Sequence, residues 1–297
     1  MLKNNDFHSS VATRENRSEI EEPIVKKLYL IRSEIDEKIT FYSTKNPVHP
    51  DLVPFVNECN CILLSTGAKR IRSIISVLMS ESLDLDREQC LLIGVIIEML
   101  HFTSLVHDDV IDGETLRRGH PTLNSRFANN HAVLIGDFMM CELITHSMDH
   151  NYSDKVIRLL VQAVKDLVTG VIIEQRVLPK KPNVAKYIEM VEHKTGSLFQ
   201  LAFGLPLIIT EKFPSAYACG NLFGLLFQIY DDFLDQETDG QNQNIFHFAS
   251  ASEIKELWDS TNEQLTSLSS EIGIEAVVSD IICYLQSHDY FRPDFLS

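Results

Sequence analysis

Residues 98–112 read EMLHFTSLVHDDVID and residues 221–235 read NLFGLLFQIYDDFLD. Each is an apolar stretch that finishes in D-D-x-x-D, and the leading aspartates, Asp108 and Asp231, stand 123 positions apart. The apolar spacing predicts a helix in both, and on a helix positions i and i+4 share a face. Asp108 and Asp112 therefore point the same way, as do Asp231 and Asp235, with Asp109 and Asp232 alongside. A single motif of this kind reads equally well as a solvated acidic helix end. Two copies on the most apolar helices of the chain do not, because burying three like charges is costly unless something cationic neutralises them. Oxygen-only ligands at helical spacing suit a hard divalent ion, above all Mg²⁺, which keeps waters and bridges to phosphates. Two facing clusters imply a polyphosphate held between them by metal.

Outward from these stretches the pattern stays helical from Pro23 onward. The predicted helices are 24–44, 51–64, 69–83, 87–112, 129–148, 153–178, 184–203, 214–236, 252–270 and 274–288, and most of the glycines and prolines fall between them. No alternating strand pair stands out. Segments 91–107, 132–140 and 222–230 are apolar nearly all round, as the central helices of a large bundle are. The expected fold is all-α: one large helical bundle over 23–297, central helices ringed by amphipathic ones, with a polar, flexible lead-in over 1–22.

The chain has 297 residues and a formal charge of −16. That acidity argues against a nucleic-acid partner, which needs a basic stripe to neutralise phosphates. Residues 236–297 alone hold eleven acids and two bases, a charge of −9 that reads as a solvated surface or as an interface for a basic partner. Six scattered cysteines with no C-x-x-C pair suggest reduced thiols in a cytoplasmic protein. The polar N-terminus lacks the apolar region of a secretory signal. No run approaches the length of a transmembrane segment.

Basic residues supply the complement to the acids. GAKRIR at 67–72 opens a predicted helix with Lys69 and Arg72 one turn apart, and helix N-termini favour anions. LRRGHPT at 116–122 follows the first acid cluster and supplies Arg117 and Arg118. Either pair could be a solvated face, and the two arginines could be structural counter-ions of the aspartates.

Taken in order, GAKRIRS, HFTSLVHDDVIDGETLRRGHPT, GDFMM, KTGSLFQ and FQIYDDFLD resemble the trans-isoprenyl diphosphate synthases, or polyprenyl synthetases, over roughly residues 25–240. The resemblance implies a prenyltransferase. An allylic diphosphate, farnesyl or geranyl, binds through about three Mg²⁺ ions to both aspartate clusters and ionises. Isopentenyl diphosphate attacks the carbocation head to tail, and loss of a proton restores the allylic double bond. The resemblance assigns metal to Asp108, Asp112 and Asp231, and catalysis to all six motif aspartates with Lys194. Lys69, Arg72, His101 and Arg118 correspond to the isopentenyl diphosphate site and Arg117 to the allylic diphosphate. Thr195 and Gln228 lie beside that diphosphate and the cation. On their own, His101 reads as a core histidine, Thr195 as a helix hydroxyl bonded to its backbone and Gln228 as a structural amide.

The resemblance also implies a homodimer and a prenyl tail that runs alongside the helix before Asp108. Thr103 and Ser104, five and four residues before it, are not bulky, so the expected product exceeds three isoprene units. Phe102, Phe138, Met139 and Met140 are candidates to close the tunnel lower down. The match departs in three places. Ala68 and Ser73 stand where the family has Gly and Pro. After Asp235 the chain reads QETDGQNQNIFHFASASE, and the first lysine is Lys255, where the family carries a lysine-bearing loop. That rewritten loop leaves a second reading, a non-catalytic or regulatory subunit of a heteromeric synthase. A terpene cyclase is a third, opposed by Lys69, Arg72, His101 and the second D-D-x-x-D.

Overall fold

The structure, a computed structural model, describes residues 14–45, 49–65, 68–150, 152–210, 216–236 and 244–287. Helix α1 (Arg14–Lys45) begins inside the stretch expected to be a flexible lead-in and runs through Pro23. The run RENRSEIEE is rich in good helix formers, and residues 1–13 lie outside the described residues. Then come α2 (Val53–Leu63), α3 (Ile71–Glu81), α4 (Arg87–Asp112), α5 (Leu123–Phe127), α6 (Asn129–Asp149) and α7 (Asp154–Ile172). The second half holds α8 (Val184–Val191), α9 (Ser197–Ile209), α10 (Ala216–Leu234), α11 (Ala251–Glu271) and α12 (Glu275–Ser287). The all-α expectation holds.

The fold is built around α4, α9 and α10. Helix α4 packs on α1, α3, α6 and α9, and α10 packs on α9 and α11. Asp86 caps the start of α4 by accepting from the Gln89 amide at 3.1 Å. Gly113 ends the helix with φ 69°, one residue past Asp112, where only glycine takes the left-handed conformation freely. The acid cluster thus sits on the last turn. Helix α4 is long and apolar enough to cross a membrane, contrary to the expectation that no run approaches that length. It is the core helix instead, with 78% of its apolar window buried in the fold.

The core differs from the sequence reading at two elements. Segment 132–140 is not central: Val133 and Leu134 of α6 are exposed. Helix α9, by contrast, is buried almost all round from Ser197 to Leu207. A two-residue antiparallel ladder, Leu116–Arg117 (β1) with His120–Pro121 (β2), also lies where no strand pair was expected. Arg118 (φ 52°) and Gly119 (φ 79°) form its turn, and a pair of left-handed residues is what a tight hairpin needs. Two residues per strand are too few to leave alternation in the sequence.

Residues 244–287 of the acidic C-terminal part are folded into the molecule. Helix α11 opens with a capping box, Ser250 with Glu253. Helix α12 packs on α1 and α3. From it the buried Tyr284 donates to the Lys69 carbonyl at 3.3 Å and meets Tyr29 edge-on.

Candidate active site

At the first acid cluster, burial raises the Asp108 carboxyl to about 6; Lys194 opposes the rise, and Asp112 and Glu174 add to it. Asp109 is buried, and its Oδ1 accepts from Arg117 Nε at 2.7 Å and Nη2 at 2.6 Å. The hairpin sends the two adjacent arginines to different places. Arg117 goes back to Asp109, while Arg118 acts on Lys69 and His101. The counter-ion reading therefore describes Arg117 as placed here, with Asp109 committed to it and not turned outward as a metal ligand.

Two five-residue π-helical turns, Ile173–Val177 and Glu192–Gly196, face this cluster. Such turns bulge one residue out of an α-helix and recur at functional sites. The first carries Glu174, which accepts from Lys194 on the second. Burial alone would lower the Lys194 ammonium, but Glu174, then Asp108 and Asp112, raise it. The first turn also carries Gln175, whose Nε2 donates to Asp112 Oδ1 at 3.1 Å. Sequence reasoning passed over Glu174 and Gln175 because it read 153–178 as one regular helix. Gly170 of α7 lets that helix touch the second turn: a Cβ there would lie 2.3 Å from the Lys194 amide nitrogen.

At the second cluster, Asp232 is buried and fully engaged. Its Oδ1 accepts from Gln228 Nε2 at 2.8 Å and its Oδ2 from the Ile245 amide at 2.9 Å. Its carbonyl accepts from Asn244 Nδ2 at 2.6 Å. Thr195 donates to Gln228 Oε1 at 2.6 Å, so the two residues expected beside the cation form a pair. Residues 237–243 of the rewritten loop lie outside the described residues.

The basic residues form the other wall. Burial lowers Lys69 to about 8; Asp231 and Asp235 act to raise it and Arg118 to lower it, so Lys69 sits between the second acid cluster and Arg118. Burial pushes His101 well below its ordinary value, and Arg72, Arg118 and Arg117 push it further. Arg72 Nη1 lies 3.5 Å from His101 Nε2. Its guanidinium lies over Phe199 at 4.5 Å, a cation–π contact. Lys69, Arg72 and Arg118 thus gather positive charge on one side of the site, an arrangement an anion would stabilise.

Arg70, between Lys69 and Arg72, turns the other way. Its φ of 54° is left-handed, and the side chain is buried against Glu98 (2.6 Å), Asp36 (2.9 Å) and the Leu63 carbonyl. Helix α3 therefore starts at Ile71, after Lys69. Ser73, in place of a proline, donates to Glu98 Oε2 at 2.8 Å. Burial would raise Glu98, but Arg70, then His101, hold it down at about 2.

An apolar cavity of about 180 Å³ opens beside Asp108, with Leu100, Ser104, Met140, Leu167 and Val168 in its wall. Val168 and Ile172 are each 51% exposed, so they leave its side open. Ser104 and Met140 line it. Thr103 does not: it is fully buried in the core and donates to the Met99 carbonyl.

Among the described residues no three His, Cys, Asp or Glu side chains gather into a metal chelate. Asp109 and Asp232 are engaged internally, and Asp108, Asp112, Asp231 and Asp235 are the other carboxylates of the two motifs. An all-oxygen donor set that is incomplete by itself fits Mg²⁺, which draws its remaining ligands from substrate phosphates and water.

The sequence profile described as polyprenyl synthetase matches residues 53–245. The octaprenyl diphosphate synthase of Escherichia coli is 31% identical over 195 residues, 64% of this chain and 60% of that protein. The heptaprenyl diphosphate synthase component 2 of Bacillus subtilis is 33% identical over 189 residues, 61% of this chain and 53% of that protein. The matched part thus spans about 60% or less of these relatives' length. Among solved structures, a geranyltranstransferase from Thermotoga maritima superposes with a TM-score of 0.75 at 21% identity, covering 89% of this chain and 98% of that one. At that identity the likeness speaks for the fold alone.

Proposed function

The chain belongs to the polyprenyl synthetase family, and from that premise we propose that it condenses isopentenyl diphosphate head to tail with an allylic diphosphate, farnesyl or geranyl. The product is a polyprenyl diphosphate of more than three isoprene units. One observation carries this reading: a cationic wall of Lys69, Arg72 and Arg118, with the His101 ring beside Arg72, flanks the second acid cluster, while the first acid cluster sits at the mouth of an apolar cavity.

In this mechanism Lys69, Arg72 and Arg118 hold the isopentenyl diphosphate, with His101 neutral because burial and its cationic neighbours oppose a further charge. Asp108, Asp112 and Asp231 would hold Mg²⁺, about three ions, which supply the charge stabilisation that lets the allylic diphosphate leave. Lys194 adds a fixed positive charge at that side, kept protonated by Glu174. The Thr195–Gln228 pair presents oriented dipoles where positive charge develops. Apolar side chains of the cavity keep water from the cation, and its open side accommodates a growing chain.

The same reading includes a homodimer. Leu134, Phe138, Cys141, Thr145 and Met148 follow one another at three- and four-residue steps on the outer face of α6, the spacing of a helix-packing seam, and Leu134 and Met148 are exposed. Six cysteines without a disulfide support a reducing, cytoplasmic setting.

Incubation of the pure protein with Mg²⁺, farnesyl diphosphate and labelled isopentenyl diphosphate, followed by mass analysis, tests the proposal. Diphosphates longer than farnesyl diphosphate are expected. A hydrocarbon formed without isopentenyl diphosphate would point to a cyclase. Turnover only after addition of a second polypeptide would establish the subunit reading, which draws on the missing lysine between Asp235 and Lys255. Asp108→Ala and Asp231→Ala should each lower kcat by orders of magnitude.

A further inference from the structure

Asp232 joins the reacting end of the site to the start of the divergent C-terminal part. On one side its carboxylate holds Gln228, which holds Thr195. On the other, its backbone carbonyl accepts from Asn244 and its Oδ2 from the Ile245 amide, inside the stretch where the sequence resemblance fails. Asn244 is 1% exposed, and its Oδ1 accepts from the Phe246 amide at 3.0 Å, which fixes which end of its amide faces Asp232.

A primary amide has a donor end and an acceptor end that differ by a flip. An ionised carboxylate only accepts, so Asp232 takes the NH₂ end of Gln228 and leaves the carbonyl to accept the Thr195 hydroxyl hydrogen. With that hydrogen committed, the remaining capacity of the Thr195 oxygen is its lone pairs, which favour a neighbouring positive charge. The orientation therefore depends on Asp232 staying in register, and Asn244 and Ile245 hold it there.

We propose that Asn244, with the Ile245 amide, is a positioning residue for the Thr195–Gln228 pair, acting through Asp232 to aim the pair's oxygen atoms at the developing allylic cation. This deepens the prenyl-transfer reading and rests on it for what the pair faces. It assigns to Asn244 and Ile245, within the rewritten segment, the job of ordering Asp232 of the second acid cluster.

The test is Asn244→Asp in the full chain, which keeps the size and the acceptor for Phe246 but removes the donor to Asp232. Loss of an outer hydrogen bond of this kind is expected to lower kcat by about 10- to 100-fold, with KM for both diphosphates within about threefold. Combined with Gln228→Leu, it should slow the enzyme no further than Gln228→Leu alone, because the two act in one chain of bonds. A readout independent of turnover is calorimetric binding, with Mg²⁺ present, of an ammonium-bearing allylic diphosphate analogue against its neutral isostere. The wild type should prefer the cationic analogue, and the variant should lose most of that preference. Should Asn244→Asp fail to fold, Asn244→Ser and Asn244→Ala take the same measurements. Additive slowing in the double variant, or equal weakening of both analogues, would overturn the proposal by showing a merely structural role. A wild type that prefers the cationic analogue yet makes no prenyl product would refute the catalytic reading and leave the positioning role standing.

Discussion

Glu98→Gln removes one charge from the Arg70–Glu98 pair, whose side chains are 1% and 4% exposed. Arg70 keeps Asp36 and the Leu63 carbonyl, so the loss belongs at the low end of the roughly 3–5 kcal/mol that breaking a buried ion pair costs. Unfolding entropy of about 2.1 cal/mol/K per residue over 297 residues then converts a loss of about 3 kcal/mol into a fall in Tm of about 5 °C. The pH dependence fixes the sign. The folded-state value of Glu98 is held near 2 against an ordinary 4.5. Its contribution is therefore complete above about 4.5 and is lost as the pH falls from there through about 2. Calorimetric melts of wild type and variant should show the full gap at pH 7 and a gap that closes on acidification below about 4.5. A gap under about 1 °C at pH 7, or one that widens in acid, would refute the argument that this pair is held ionised in the core.

Ser104→Phe should shift the products to shorter prenyl chains, read by mass spectrometry, because Ser104 lines the cavity. Thr103→Phe should leave chain length alone and lower Tm, since overpacking a filled core costs about 1–3 kcal/mol. Gly170→Ala places a methyl 2.3 Å from the Lys194 amide nitrogen, so α7 and the second π-helical turn must part. Its kcat should fall by more than about tenfold even in preparations whose circular dichroism is native. Leu134→Glu with Met148→Glu should convert a dimer into a monomer in sedimentation; a monomeric wild type would refute the proposed α6 seam.

The acid clusters were legible because buried like charges are rare and both copies close apolar helices. Residue type and spacing alone point to oxygen ligation of a hard cation there. What spacing could not show was which aspartate of each cluster is spent internally. Asp109 and Asp232 look no different in sequence from their neighbours, and only the hairpin that returns Arg117, and the amides of Asn244 and Ile245, set them apart. Arg70 is a similar case. A single left-handed residue swings it to the opposite side from Lys69 and Arg72, and nothing in GAKRIR announces that φ. Glu174 and Gln175 escaped because a π-helical turn preserves the apolar pattern of an α-helix while rotating everything beyond it. The half-exposed stripe on α6 was misread as central because apolar content does not tell a protein core from a surface built to be covered.

The hydrogen bond from Tyr284 to the Lys69 carbonyl spans 215 positions, and it gives the site a chronology. The turn that carries Lys69 is synthesised early, but the helix that steadies it is among the last parts of the described chain to be made. Contacts of such separation close late, after the loop entropy between them has been overcome. A ribosome-bound chain can therefore have both acid clusters and the apolar cavity in hand before the cationic wall beside Lys69 is finished. During synthesis, the wall expected to hold isopentenyl diphosphate is the last part of the site to be completed.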